Sequence, residues 1–320
     1  MSNRFRLAIA AAAILVAALP TAQSSAADTA APAAQSGNRF IDGQGNPGVL
    51  LPTRAARSSA GAAGSPIIYH GGPIMPSVRS YIIWYGNWAG DPCTDTTTGS
   101  TPNILTTMLA AIGGSAWYGI NTHYTQQNPF KQVLAQVSVG GCYYDTRTAS
   151  LAGINARSGA PSNVVQQDLQ HFSVGPPDAS GLYYVFTSAD VAVKGFGTNY
   201  CGYHGYFTSG GVVTKYSFVG DPSNYMSACA EQTTSPSGNA AADAMVSVIA
   251  HELVESASDP QLNAWYDKRG YENADKCAWT FGATSQAGNG SLYNMTINTV
   301  PYLIQQNWSL ETSPQSCQLS

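Results

Sequence analysis

Met245-Val246-Ser247-Val248-Ile249-Ala250-His251-Glu252-Leu253-Val254-Glu255-Ser256-Ala257-Ser258-Asp259-Pro260 is the stretch on which the reading of this chain turns. With the residues from Ala240 onward it predicts the strongest helix in the sequence, entered from a Ser/Gly/Asn-rich loop over 233–239. At about 100° per residue, Glu255 falls about 40°, Asp259 about 80° and Glu252 about 100° round from His251. Val246, Ile249, Ala250, Leu253, Val254 and Ala257 fill the opposite arc, and Met245 and Val248 sit among the polar group. A helix apolar nearly all round is a buried one. Burying its carboxylates costs on the order of several kcal/mol each unless they are paired or bind a cation. The flanking stretches offer only Lys215, Lys268, Arg269 and Lys276 as cations. A divalent metal ion is therefore the favoured partner.

The spacing suggests which metal chemistry to test. In the H-E-x-x-H pattern two imidazoles hold zinc and the intervening Glu acts as general base. Here His251-Glu252-Leu253-Val254-Glu255 keeps the first ligand and the base and places Glu255, an acceptable zinc ligand, in the second position. Glu252 is the catalytic candidate. His204, within Cys201-Gly202-Tyr203-His204-Gly205, or Glu272 supplies a third ligand, with Asp275 beside the metal or on a neighbouring calcium ion. Three plainer readings stand beside this. Asp259-Pro260 is a helix stop; Asp259, Glu272 and Asp275 form an oxygen-only calcium site; Glu255 is a hydrogen-bonded core carboxylate. No G-x-S-x-G elbow, P-loop or G-x-G-x-x-G fingerprint occurs.

Outward from the helix, Val78 to Tyr85 reads as a buried strand and Thr101-Pro102 through Ile112 as a helix stopped by Gly113-Gly114. Lys131 to Val139 reads as a strand ending at Gly140-Gly141, and Ser162 caps a helix through Phe172. Leu182 to Thr187, Gly211 to Val219 and Tyr302 to Trp308 read as strands. Interleaved strands and helices predict a single α+β domain, a mixed twisted sheet with packed helices including the metal-site-like one, and the motif suggests a zincin-like architecture.

At the N-terminus Arg4 and Arg6 precede an apolar run over 7–19, and Ser25-Ala26-Ala27 offers a cleavage site, so residues 1–27 read as a signal peptide. Residues 28–65, rich in Ala, Gly, Ser and Pro, read as a flexible leader or pro-segment, and residues 66–320 as the globular domain. Only 10% of the chain is charged, and a net charge of −4 without a basic block excludes a nucleic-acid footprint. No later run is long enough to span a bilayer, so no membrane association is expected after cleavage. In an exported chain Cys93, Cys142, Cys201, Cys229, Cys277 and Cys317, an even set without C-x-x-C, predict disulfides. Cys201–Cys229 would close a local loop and Cys277–Cys317 would pin the C-terminus, among the fifteen pairings open to six cysteines. His70 reads as a turn residue. Trp84, Tyr85, Trp88, Trp117 and Tyr118 form either a sugar-stacking face or core.

Several blocks together resemble the phosphate-induced protein 1/EXORDIUM-like family. They are Tyr69-His70-Gly71-Gly72-Pro73 leading into Ile82-Ile83-Trp84-Tyr85-Gly86-Asn87-Trp88, Cys201 to Gly205, and Phe218-Val219-Gly220. His251 to Glu255 with Asp259-Pro260, Asn263-Ala264-Trp265-Tyr266, Glu272 to Cys277, Tyr293-Asn294 and Gln306-Asn307-Trp308 complete the pattern. The resemblance implies a secreted, cell-wall or apoplast-type protein, linked in plants to growth and nutrient response. It brings no established catalytic activity. Two functions are expected from these readings together. One is a secreted zinc-dependent hydrolase, peptidase-like, acting on an extracellular polypeptide. The other is a non-enzymatic signalling, cell-wall or glycan-binding protein with a structural Zn2+ or Ca2+ site.

Overall fold

The computed structural model describes residues 38–56, 65–146, 160–171 and 173–320. The signal-peptide reading of residues 1–27 lies outside them. Seven strands form the central sheet: β1 Arg39–Ile41, β2 Pro47–Pro52, β3 Val78–Tyr85, β4 Val137–Asp145, β5 Gly181–Thr187, β6 Tyr200–Ser209 and β7 Val212–Gly220. Their spatial order is β1-β2-β6-β7-β5-β3-β4, with β7, β5, β3 and β4 parallel and β1, β2 and β6 adding antiparallel pairs. Five helices among the described residues accompany it: α1 Thr101–Ala111, α2 Ala116–Gly119, α3 Pro161–Gln170, α4 Met226–Cys229 and α5 Ala240–Ser258. The described residues form a single α+β domain around a mixed sheet.

Strand β5 is buried at every position, which is why its run of Leu, Tyr, Val and Phe shows no alternation. Helix α5 packs on β6 and β7, with α1 beside it. The α3 side is marked by Tyr216 and Ser162, which both donate to Asp42 at 3.0 and 2.6 Å. Because side chains alternate along a strand, Ser217 and its register partner His204 point the other way, toward α5. Asn239 caps α5 by accepting from the Ala242 N–H at 3.1 Å.

Four readings need correction. Part of the segment expected to be a flexible leader is sheet: Val49 and Leu51 of β2 are fully buried against β6, and Phe40 of β1 meets Tyr203 edge-on at 4.8 Å. Its hairpin is locked by Asp42, which also accepts from the Gln44 and Asn46 amides. Gly140-Gly141 does not end a strand. Strand β4 runs through both, because the Tyr81 ring lies where their side chains would be. Ser162 sits inside α3, whose N-cap is Ala160. The expected strand over Tyr302 to Trp308 is two short ones, Val300–Tyr302 and Asn307–Ser309, in separate hairpins.

The cysteines pair as Cys93–Cys142, Cys201–Cys229 and Cys277–Cys317. Trp84, Tyr85, Trp117 and Tyr118 are at most 1% exposed and thus belong to the core, not to a sugar-stacking face. His70 stacks on Tyr266 at 3.7 Å, a structural turn contact.

Gly202 of β6 sets how closely α5 approaches the sheet. A Cβ there would collide with Val248 Cγ1 and come within 3.1 Å of Glu252 Oε1. Gly202→Ala should therefore cost about 1–3 kcal/mol of unfolding free energy through overpacking. Urea denaturation measures it, and an unchanged midpoint would contradict this packing.

Candidate metal centre

Three elements converge beneath α5. Strand β6 contributes His204, the helix contributes His251, Glu252 and Glu255, and the loop after the helix contributes Glu272 and Asp275. All six are buried, the most exposed being Asp275 at 4%. His204 Nδ1 lies 3.1 Å from Glu252 Oε2 and 3.4 Å from Glu255 Oε2, while its Nε2 lies 3.5 Å from Glu272 Oε2. His251 Nε2 lies 3.2 Å from Glu255 Oε1 and 3.9 Å from Asp275 Oδ1. The structure therefore brings together every residue that the sequence marked for the site.

Glu252 is not set apart as a lone base. It stands shoulder to shoulder with His204 and Glu255, so that these three form one group able to hold a cation. His251, Glu255 and Asp275 form another, each group with one donor atom per residue within 4.8 Å of the others. Both groups contain an imidazole, so Asp275 faces His251 and not an oxygen-only trio.

The loop is held by amides. Asn273 Nδ2 donates to Asn121 Oδ1 at 3.0 Å and to the Val254 carbonyl at 3.3 Å, and Asn121 Nδ2 donates to the same carbonyl at 2.9 Å. This clamp fixes the neighbours Glu272 and Asp275 against the last turns of α5. The Asp275 N–H donates to Glu255 Oε1 at 2.7 Å, and Glu272 N–H to Asp275 Oδ2 at 3.2 Å. The Cys277–Cys317 disulfide follows directly, and Cys201–Cys229 sits three residues before His204.

Sequence reasoning missed Asn38 and Arg39. Asn38 Nδ2 donates to Asp275 Oδ1 at 3.1 Å, and Arg39 Nη2 approaches Asp259 Oδ2 at 3.8 Å. Asp259 is the C-cap of α5 and accepts from the Asn263 and Ala264 amides, both at 2.6 Å, so the helix-stop reading holds. It nonetheless leaves a buried carboxylate oxygen without a hydrogen bond beside the cluster.

The electrostatics are unbalanced. Burial pushes the Glu272 carboxyl well above its ordinary value, and the charges of Asp259 and Glu255 push it further. Burial likewise raises Asp275 well above the carboxylate range, reinforced by Glu255. For His204 burial opposes the charged form, yet hydrogen bonds and charge from Glu252 and Glu255 outweigh it and carry it to about 10. In His251 burial is again overcome, chiefly by Glu255, which lifts it to about 9. Burial raises Glu255 less than His251 and His204 lower it, to about 2. Without a metal these groups must share protons.

The donor set fits a divalent ion. Buried atoms with no hydrogen bond include His204 Nε2, both nitrogens of His251, Glu252 Oε1, Glu255 Oε2 and both oxygens of Glu272. Buried polar atoms are ordinarily satisfied, and a divalent cation is one partner that could satisfy these. One imidazole with carboxylates suits Zn2+ better than Ca2+, which takes oxygen ligands.

A protein-family model described as the phosphate-induced protein 1 conserved region matches residues 67–318. Protein EXORDIUM-like 3 of Arabidopsis thaliana is 30% identical over 282 residues, 75% of this chain and 80% of that protein. Protein EXORDIUM-like 5 of the same plant is 29% identical over 218 residues, 62% of this chain and 59% of that protein. No solved structure matches the chain, so the zincin-like architecture suggested by the helix motif has no structural relative behind it. Motif blocks, family model and relatives agree: the chain belongs to the phosphate-induced protein 1/EXORDIUM-like family.

Proposed function

We propose that this is an exported protein whose buried His/carboxylate cluster binds a divalent metal, Zn2+ in the first instance, as a structural staple. The burial of Glu252 carries this reading. A general base must reach a water molecule and a substrate bond, whereas Glu252 is fully buried and its Oε2 is taken by His204. Neither the cavity beside Cys229, Gln232, Asp243 and Trp279 nor the hollow between Arg79 and Asp178 reaches the cluster. When bound, the metal supplies positive charge and coordinate bonds joining β6, α5 and the loop that follows it. Its ligands would come from among His204, His251, Glu252, Glu255, Glu272 and Asp275.

Export is supported by three disulfides, which persist in oxidising compartments. No helix among the described residues is long and apolar enough to cross a membrane. The structural reading makes the protein a non-enzymatic extracellular factor that presents its surface to a polypeptide or cell-wall partner. The peptidase-like reading stays as the rival, because a His-Glu-x-x-Glu helix facing a histidine is also how a hydrolytic zinc site begins.

Stripping metal with a strong chelator should lower the melting temperature by on the order of 10 °C, since a ligand at a thousand times its Kd contributes about 4 kcal/mol. Adding Zn2+ back should restore it, and an unchanged melting temperature in metal-depleted protein would contradict the staple. Glu252→Gln separates the two functions. As a staple residue it should lower both metal content and melting temperature by several degrees, with no proteolysis in either form. Cleavage of an unfolded substrate by the wild type, abolished in Glu252→Gln at unchanged melting temperature, would establish the hydrolase instead.

A further inference from the structure

The geometry points to two metal positions under α5, bridged by the Glu255 carboxylate. This rests on the cluster binding metal at all, and it adds how many ions and how they are joined. The two oxygens of Glu255 face different histidines: Oε2 lies 3.4 Å from His204 Nδ1, and Oε1 lies 3.2 Å from His251 Nε2. Each histidine brings one further carboxylate of its own, Glu252 for His204 and Asp275 for His251. Both positions therefore have one imidazole nitrogen and two carboxylate oxygens, with Glu255 common to both.

Two further observations favour a pair over a single ion. The first is charge. Glu252, Glu255, Asp259, Glu272 and Asp275 are five buried carboxylates, and Arg39, near Asp259, is the cation that the described residues place against them. Lys276 is engaged elsewhere, with Asp267 at 3.3 Å and over the Trp308 ring at 4.3 Å. With the carboxylates ionised and the histidines neutral, as metal ligands are, two divalent ions bring the five carboxylates and Arg39 to neutrality, whereas one ion leaves two negative charges that protons must cancel. The second is the supply of donors. Within the cluster eight buried atoms lack a hydrogen bond: five on His204, His251, Glu252 and Glu255, which belong to the two groups, and three on Asp259 and Glu272, which stand beside them. A zinc ion in a structural site takes about four ligands. A carboxylate joining two ions holds them roughly 4 Å apart, the spacing usual in two-metal sites.

The full-length protein, purified without chelator and dialysed, should carry two metal ions per chain by elemental analysis and native mass spectrometry. After replacement by Mn2+, electron paramagnetic resonance should show an exchange-coupled pair. Asp275→Asn, with folding checked by circular dichroism, should fall to about one ion and an uncoupled Mn2+ signal. If that variant does not fold, the wild-type stoichiometry and coupling decide alone. One ion per chain would overturn the bridged pair and leave the single-metal staple standing, and two ions without coupling would overturn the bridge. No bound metal would overturn both.

Discussion

Negative charge packed inside an apolar helix–sheet interface is the constraint on which this structure depends. Helix α5 buries every residue from Ala242 to Ser258, and it carries Glu252 and Glu255 into that interface beside His204. Glu272 and Asp275 arrive from the loop and add to the same patch. Desolvating even one carboxylate costs several kcal/mol, on the order of a large fraction of a domain's whole stability. Histidine protons relieve part of this, but they leave Glu272 with no hydrogen bond on either oxygen. The proposed divalent cation would relieve it with side chains that are already in place.

The remainder of the fold holds those ligands still. Gly202 lets the helix close onto β6, and the Cys201–Cys229 disulfide braces the strand just before His204. The amide clamp of Asn121 and Asn273 sets the loop, which Cys277–Cys317 ties to the C-terminal segment. Asn38 and Arg39 then cover the far side. Strand β1 thus belongs to the centre as much as to the sheet, and the hairpin around Asp42 is what keeps it there.

Much of this was legible from residue order alone, for physical reasons. Helix α5 announces itself through its cap, its length and its apolar arc, and its acidic patch identifies where charge must be compensated. Two of the observed disulfides, Cys201–Cys229 and Cys277–Cys317, are pairings that the order of the cysteines offered among the fifteen open to it, without selecting them. Strand β6 carries no clear strand pattern in the sequence, because Gly202 and Gly205 interrupt its aromatic run. The signal that would have found it is Gly210-Gly211, both at positive φ, which joins β6 to β7 as a two-residue hairpin turn. The leader misled through composition: its short apolar run Val49-Leu50-Leu51 is sufficient for a strand once β6 offers a free edge. Neutral asparagine clamps such as Asn121–Asn273 have no spacing signature, since their partners lie 152 residues apart. The role of Glu252 depended on where His204 would sit, which no local pattern contains.

Anomalous diffraction at metal absorption edges, from crystals of the full-length protein grown without chelator, tests the central claim most directly. The account predicts density at about 2.0–2.2 Å from a His204 or His251 nitrogen and a Glu255 oxygen. A cluster with no anomalous peak, its carboxylates instead hydrogen-bonded to one another or to water, would contradict it.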